Sequence, residues 1–426
     1  MSDQSTGPIP VVRSELPGDA PAPGLRDLPL EVWILVGVAF VVAVGYGILG
    51  PALPLYGKSF GVSTFWASTV ISGFALMRFL WAPISGSSVN KWGERAVLFG
   101  GLLIVGMSSL LAGLAPNFAW VVILRGLGGI GSSMYTVSAF ALLLRVTDPA
   151  LRGRAAGAYS GGFVLGGLFG PVIGAAVISI SLRAPFFIYA GALLVAALVA
   201  AIGLHGKEIR ERASAVEAKS GASDEPEGWG SFFRALRNSS YFAALLVNLG
   251  VGFVIFGIRN ALTPLFVVHD LHLKPSWVGI GYAVLSVVQA VLLIPFGRIT
   301  DLVGRRFAMI SGGALLIVSM FVLAFATNRW EFLAAMALGG VAGAFISSAP
   351  AAVVGDVTGG RRSGPLLAGF QMMSDFGAIL GPLAAGLIAD MSTNSTAFVV
   401  GGVVLIVPFI ASLRMRETKG LPAPVL

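Results

Sequence analysis

Four charged side chains lie inside long apolar runs of this 426-residue chain, and they are the first candidates for chemistry. They are Arg78, Arg125, Arg259 and Asp375. A charge near the centre of a bilayer costs about 2.5–3.5 kcal/mol on insertion scales, so each marks a functional position by default. Asp375 is the only acid that we place deep within a run, where a carboxyl group can release and rebind a proton. No nucleophile–base set or metal-ligand cluster is visible, so we predict no catalytic residues, no metal and no cofactor.

The apolar runs around these residues are long enough to cross a bilayer. The chain is 56% hydrophobic and 11% charged, with a mean hydropathy of +0.87, whereas soluble domains are about a quarter charged. Apolar runs of about 18 residues or more are candidate transmembrane helices. We predict an all-α membrane protein with twelve such helices, at residues 33–55, 65–86, 96–115, 119–144, 155–179, 184–204, 241–267, 276–297, 307–326, 331–355, 365–388 and 396–414.

The basic residues of the short loops predict the orientation of the chain. One side carries ten Lys and Arg residues and the other carries four. The richer side is expected to be cytoplasmic, so both termini lie inside and the protein is a multi-pass protein of the cell (plasma or inner) membrane. Residues 1–30 form a disordered cytoplasmic tail in this prediction, and residues 417–426 form a second tail. The net charge of +8 is spread over the loops, so we expect no nucleic-acid partner.

The second half of the chain repeats sequence motifs of the first half. GSSVNKWGER begins at Gly86 and GRITDLVGRR begins at Gly297, so the offset is 297 − 86 = 211, and GLFGPVIG and AILGPLAAG repeat at the same offset. Two pseudo-symmetric six-helix bundles are therefore expected, at residues 31–204 and 241–416. Such parallel halves flank a substrate path in many secondary transporters. The charged residues 205–240 join them as a cytoplasmic linker, and WGSFFRALRNSS predicts a short interfacial helix at its end.

The stretch GAYSGGFVLGGLFGPVIG, residues 157–174, is rich in residues that form helices poorly. Gly162, Gly166, Gly170 and Gly174 recur every four residues and form one smooth strip that lets another helix approach closely. Pro171 permits a kink. We interpret the strip as a bendable seam between two halves that rock against each other. Static helix packing is the alternative.

These motifs resemble those of the major facilitator superfamily, and the resemblance extends from residue 31 to residue 416. GRITDLVGRR matches the family's loop signature G-x-L-a-D-R-x-G-R-R, whereas the first copy has Asn90 in place of the acid and Glu94 in place of a basic residue. RGLGGIGSS, from Arg125, matches the fourth-span signature, with Gly128 replacing the usual Gln. By resemblance, the gating loop residues are Gly86, Asn90, Gly93, Arg95, Gly297, Asp301, Gly304, Arg305 and Arg306.

The glycine-rich stretch is similar to the fifth-span signature of exporters that exchange substrate for protons, so the chain resembles the twelve-span drug:proton antiporters. The matching residues are Gly157, Gly166, Gly170, Pro171 and Gly174, while Ala175 replaces the last glycine. The second-half counterpart comprises Gly377, Gly381 and Pro382.

The resemblance places the second and eleventh spans side by side, which makes Arg78 and Asp375 plausible partners. Our hypothesis is that Asp375 releases and rebinds the coupling proton as this pair changes; a permanent structural ion pair is the alternative. Arg125 corresponds to an arginine thought to help couple protons, or it bonds structurally to carbonyls of a neighbouring span. Arg259 either binds an anionic group or reaches the outer interface by snorkelling.

Other side chains are candidates for the gate and the cavity. By resemblance, Asp301 caps a helix N-terminus across the interface between the halves and latches the inside shut, and uncharged Asn90 makes a weaker latch. Tyr46 and Tyr135 are expected nearest the cavity. Two further cavity candidates are Asn260 and Gln371.

We therefore predict a proton-coupled antiporter that exports small hydrophobic or amphipathic compounds by alternating access. Its partners are a small-molecule substrate, protons and the lipid bilayer, and a monomer is expected. An uptake permease or facilitator of the same fold is the first alternative. A non-transporting membrane receptor or scaffold is more remote, since it has no need of charges within the membrane.

Overall fold

A computed structural model describes residues 27–148, 151–204, 214, 229–347, 349–358 and 364–419. Twelve helices among them are long and apolar enough to cross a membrane, which confirms the predicted number. We number them α1–α12: α1 Leu30–Lys58, α2 Thr64–Trp92, α3 Glu94–Gly113, α4 Phe118–Val146, α5 Arg154–Ile178, α6 Ala184–Gly203, α7 Ser239–Asp270, α8 Ser276–Val303, α9 Arg305–Ala324, α10 Arg329–Val357, α11 Pro365–Met391 and α12 Asn394–Arg414.

Local sequence sets where these helices begin and bend. The residues before α2, α4, α10 and α12 each accept a backbone N–H of the first turn through a side-chain oxygen, which satisfies donors that have no partner within the helix. They are Ser63, Asn117, Asn328 and Thr393. In α7 the backbone winds as a π-helix over Val251–Arg259 and again over Phe266–Asp270.

The odd number of loops between twelve spans places both ends of the described chain on one side. We call this side the basic face, because the described span ends on this side carry most of the Lys and Arg residues that lie near span ends. The other side is called the opposite face. The helices α1–α6 pack into one bundle and α7–α12 into a second. The bundles meet mainly along two seams, α2 on α11 and α5 on α8, and α7 makes a smaller contact with α1.

Equivalent glycines make the same contact in both bundles. A Cβ added at Gly47 of α1 would lie 2.7 Å from a ring carbon of Pro171 of α5. A Cβ added at Gly257 of α7 would lie 2.8 Å from Gly381 and 3.1 Å from Pro382, both of α11. The duplication read in the sequence is therefore repeated in the packing.

The glycine strip of α5 faces α1 of its own bundle. A Cβ added at Gly162 would come within 3 Å of Val36. One added at Gly166 would come as close to Ala43, and one added at Gly174 as close to Ile48. The interpretation of the strip as the seam between the bundles is thus wrong, because a four-residue period places the glycines on one face and that face packs against α1. At Gly157 an added Cβ would meet no atom within 4 Å.

Two short segments outside the spans pack against the second bundle. The helix Trp229–Ala235 forms at the predicted end of the linker, and Phe232 fills the space beside Gly369 of α11, where a Cβ would strike its ring. Phe233 on the same helix is exposed. The remainder of the linker lies outside the described residues, apart from residue 214, as do residues 1–26 of the predicted N-terminal tail.

The second segment, residues 415–419, follows α12 across the basic face, and we call it the C-terminal strap. The Glu417 carboxylate accepts the backbone N–H groups of Arg305 and Arg306 at 2.9 and 3.0 Å. Lys419 Nζ donates to the Leu302 carbonyl oxygen at 2.6 Å. The strap therefore ties the end of α8 to the beginning of α9.

Candidate functional site

The Arg78–Asp375 pair joins the two bundles in the α2–α11 seam. Arg78 Nε lies 3.3 Å from Asp375 Oδ2, and 28% and 15% of the two side chains are exposed. The structure thus brings together the two residues that the resemblance paired. Both side chains are therefore only partly buried in the seam.

In the same seam, a hydrogen bond joins the two bundles between the ion pair and the opposite face. Ser72 Oγ donates to the carbonyl oxygen of Ile379 at 2.8 Å, in a buried contact between the bundles. Towards the basic face, Gln371 lies four residues before Asp375 on the same side of α11 and is exposed. The seam is therefore closed towards the opposite face, while the exposed Gln371 lies on the basic-face side of the ion pair.

Arg125 of α4 is 1% exposed and has no carboxylate among its described contacts. Its NH1 group donates to Ser109 Oγ at 3.5 Å, and its guanidinium carbon lies 4.5 Å from the centre of the Phe74 ring. Its Nε has no hydrogen-bond partner among the described residues. The expected structural bonds to carbonyls are replaced by a hydroxyl contact and a cation–π contact.

Arg259 of α7 is 5% exposed, so the snorkelling interpretation is wrong. The π-helical winding of Val251–Arg259 shifts the phase of the side chains, and Arg259 points into the second bundle. A Cβ added at Gly339 of α10 would lie 2.7 Å from its NH1 group. Neither NH1 nor Nε has a hydrogen-bond partner among the described residues.

The two buried guanidinium groups lie beside equivalent sets of residues in the two bundles. Each set contains a glycine, a serine and an apolar side chain, and corresponding members are 211 residues apart. The first set is Gly128, Ser108 and Phe74, and the second is Gly339, Ser319 and Leu285. Arg125 of α4 contacts Phe74 of the first set, whereas Arg259 of α7 lies against Gly339 of the second, so the sets are duplicated and the arginines are not.

Two tyrosines, one in each bundle, lie near enough to these charges to interact with them electrostatically. Tyr46 of α1 is half-buried, and its hydroxyl interacts electrostatically with Arg125, Arg78 and Asp375. Tyr282 of α8 interacts electrostatically with Arg259 and with Tyr46 of the other bundle. Tyr46 also packs against Phe74, the ring that the Arg125 guanidinium contacts, with the two ring centres 6.1 Å apart.

Asn260 of α7 contacts the second of these tyrosines, Tyr282. Its Oδ1 is 3.2 Å from the Tyr282 hydroxyl, which also lies 3.2 Å from the Arg259 carbonyl oxygen. Sequence reasoning missed Tyr282, because a single tyrosine in an apolar span is ordinary. Its signal is a polar tip that needs a partner when buried.

Tyr135 does not line a cavity in this structure. It is 2% exposed, and the Tyr159 hydroxyl donates to its hydroxyl at 3.1 Å inside the first bundle. The backbone of α3 lies against α4 here, since a Cβ at Gly101 would be 2.7 Å from the Tyr135 nitrogen. The prediction for Tyr135 is therefore wrong, because this side chain serves the α4–α5 contact.

The two gating loops share their backbone shape and differ in charge. Gly93 and Gly304 have φ angles of +83° and +131°, in the region that favours glycine. Next to them, Arg95 donates to the Ala201 carbonyl oxygen at 2.8 Å, and Arg306 donates to that of Leu413 at 2.7 Å. Each loop is thereby anchored to the last span of its own bundle.

Among the described residues, the expected latch across the interface is not seen. Asp301 pairs with Arg305 of its own bundle, and 70% of the Asp301 side chain is exposed. Asn90 is exposed as well, while Glu94 pairs with Arg145 at 2.9 Å. At Gly86 and Gly297 an added Cβ would meet no atom within 4 Å. Within the part of the chain that the structure describes, these positions therefore show no contact with the other bundle.

Comparisons with known proteins agree with this architecture. The model of the Major Facilitator Superfamily matches residues 35–268 and 249–425. The chain is 24% identical over 398 residues to Multidrug resistance protein 2 of Bacillus subtilis (strain 168), covering 91% of this chain and 95% of that protein. It is 22% identical over 378 residues to the Quinolone resistance protein NorA of Staphylococcus aureus (strain MSSA476), covering 88% and 94%.

The fold is also found among solved structures. A bacterial homologue of the human lysosomal transporter Spinster, in an inward-facing and unoccupied conformation, matches with a TM-score of 0.75 at 16% identity, over 92% of this chain and 98% of that one. Because the family model extends over both bundles and all twelve spans, the chain belongs to the Major Facilitator Superfamily and is a multi-pass membrane transporter rather than an enzyme.

Proposed function

We propose that this transporter exports small hydrophobic or amphipathic molecules in exchange for protons, across the cell membrane and by alternating access between the two bundles. The observation that carries the proposal is the partly exposed Arg78–Asp375 pair between the bundles. When Asp375 is ionised, it attracts Arg78 across the seam; protonation removes that attraction. Proton binding is thereby linked to the contact that holds α2 to α11.

The route for the substrate is the opening between the bundles. It leads from the exposed Gln371 past the ion pair towards half-buried Tyr46 and Asn260. Aromatic faces with a few amide and hydroxyl groups suit amphipathic compounds that carry their own hydrogen-bonding groups. The relatives named for multidrug and quinolone resistance support export of such compounds.

The positive-inside rule makes the basic face cytoplasmic, with both termini inside. We propose that this conformation is the one that opens to the cytoplasm, as the inward-facing conformation of the Spinster homologue does. A monomer contains both halves of the path, so we propose that a single chain is the working unit.

Transport by the purified protein in proteoliposomes, under an imposed pH gradient, tests the proposal. A screen of dyes and antibiotics is expected to find substrates that move against a substrate-dependent proton flux. Asp375→Asn is expected to abolish proton-driven transport while leaving exchange of bound substrate, because the amide cannot titrate.

Glu331→Gln is the matched control, since Glu331 accepts hydrogen bonds from neighbouring Thr327 at the exposed beginning of α10. Full proton-driven transport by Asp375→Asn with unchanged pH dependence would show a permanent structural ion pair and refute the coupling role. Proton flux in the direction of the substrate would favour the uptake permease instead.

A further inference from the structure

A carboxylate of the second bundle caps a helix of the first bundle at the opposite face. Asp390 Oδ1 accepts the backbone N–H of Thr64 at 2.9 Å, and Oδ2 accepts that of Phe65 at 2.8 Å. Asp390 lies in the last turn of α11, and Thr64 is the first residue of α2. Both oxygens of one side chain are thus used on a helix that belongs to the other bundle.

This contact satisfies groups that α2 leaves unpaired. The first N–H groups of a helix have no partner within it, and they carry the positive end of the helix dipole. The α2 N-cap residue Ser63 accepts from the Trp66 backbone N–H at 3.5 Å, which leaves the N–H groups of residues 64 and 65 to Asp390. Charge-assisted bonds to a carboxylate are about twice as strong as neutral ones.

Gly386, one turn before Asp390, allows the two backbones to meet. A Cβ added at Gly386 would lie 2.6 Å from the Phe65 Cα and 2.9 Å from both the Thr64 carbonyl oxygen and Ser68 Oγ. Backbone atoms cannot rotate away, so any side chain at position 386 would force α2 and α11 apart. The closed seam at this face therefore requires glycine.

We propose that Asp390 and Gly386 form the latch that holds the opposite face shut, and that this latch is released each time the transporter opens to that side. Both residues are positioning residues, which act through the placement of α2 and not through contact with substrate. When the seam opens, water solvates the carboxylate and the freed N–H groups, so release is reversible. The latch requires alternating access and is independent of the substrate and of proton coupling.

Distances between spin labels test the latch directly. The chain contains no cysteine, so labels attach at introduced sites alone. Trp66→Cys and Met391→Cys place labels at the ends of α2 and α11 on the opposite face, where the native side chains are 56% and 79% exposed. Arg154→Cys and Leu302→Cys report the α5–α8 seam at the basic face, where both side chains are exposed.

In lipid nanodiscs without substrate, Asp390→Asn is expected to raise the ratio of open to closed opposite-face distances about tenfold, because it removes the charge and one accepting oxygen. The basic-face distance is expected to shorten in the same molecules. Asp390→Glu keeps the carboxylate and is expected to restore more than half of the closed population. Gly386→Ala is expected to open the same face without any change of charge.

Glu331→Gln is the control, since it removes a carboxylate at the opposite face that acts within its own bundle. Unchanged opposite-face distances in both Asp390→Asn and Gly386→Ala would overturn the proposal. Longer label distances at both faces in the same variant would also overturn the proposal, since that result shows loosened packing and not release of a latch. Neither distance measurement depends on transport, so the latch can be tested even if the proposed proton antiport is wrong.

Discussion

At the scale of single residues, the buried arginines pose an unusual energetic problem. Within the described spans, the charged side chains far from either span end are Arg78, Arg125, Arg259 and Asp375, with a net charge of +2. A buried ion without a partner costs several kcal/mol, even after relaxation. A hydroxyl group and an aromatic ring compensate for part of this cost at Arg125. Retaining such groups is a burden on stability, which points to a task in the transport cycle.

The variant Arg259→Met distinguishes a role of Arg259 in transport from a purely structural role. Methionine fills a similar volume without charge, and replacing buried ions with apolar groups is often neutral or stabilising by about 1–4 kcal/mol. We expect unchanged or raised thermal stability together with a loss of transport, whereas Arg259→Lys keeps part of the activity. Thermal unfolding in detergent and transport in proteoliposomes are the two measurements. Strong destabilisation with transport per folded molecule unchanged would show that Arg259 is structural.

At the scale of elements, the glycine strip of α5 makes a prediction about helix packing. A Cβ at Gly170 would lie 2.7 Å from the Cα of Gly47, whereas at Gly167 it would meet no atom within 4 Å. Gly170→Ala is therefore expected to destabilise the first bundle by about 1–3 kcal/mol, since helix backbones must separate. Gly167→Ala is the internal control and is expected to raise stability slightly, because alanine favours helix. Equal destabilisation by both would contradict the assigned face.

The C-terminal strap predicts a pH-dependent contribution to the stability of the second bundle. Burial by itself raises the pKa of Glu417, but backbone N–H groups of Lys419, Arg305, Arg306 and Thr418 outweigh it, and the pKa is lowered. When the folded-state pKa of a carboxyl group lies below its ordinary value of about 4.3, the group stabilises the fold fully at pH values above that ordinary value. This stabilisation is lost as the pH falls through the folded-state pKa.

Glu417→Gln is accordingly expected to lower the melting temperature at pH 7, and the difference from the wild type is expected to shrink below about pH 4. Lys419→Ala is the comparison variant, since it removes the bond to the Leu302 carbonyl oxygen and keeps the carboxylate. Its effect is expected to be smaller and nearly independent of pH over this range. A constant difference for Glu417→Gln down to pH 3 would refute the account.

At the scale of the whole molecule, the sequence predicts the spans and the repeat well, because length, hydropathy and a fixed offset are properties of the chain itself. It does not predict which neighbour a helix face meets. The strip of α5 was identified, yet its partner is α1 and not the other bundle. Arg259 is buried because α7 winds as a π-helix, a local geometry without a clear signal in the sequence.

The residues that close the ends of the molecule were missed for a similar reason. Asp390 and Glu417 stand near span ends, where charged residues are common and are usually solvated. Their significance comes from helix N-termini that are far away in the chain and adjacent in space. Only the packing of the helices shows these contacts, so such caps are found by structure rather than by pattern.

The two seams also predict how the whole molecule responds to a covalent restraint. If the bundles must separate at the opposite face once in each cycle, then a reducible bis-maleimide linker between Trp66→Cys of α2 and Met391→Cys of α11 stops transport, and reduction restores it. Trp120, also exposed, begins α4 in the same bundle as Trp66. The same linker between Trp66→Cys and Trp120→Cys therefore restrains nothing that moves and is expected to leave transport intact. Transport that continues with the α2–α11 link in place would mean that the substrate crosses by a path that does not require the bundles to part.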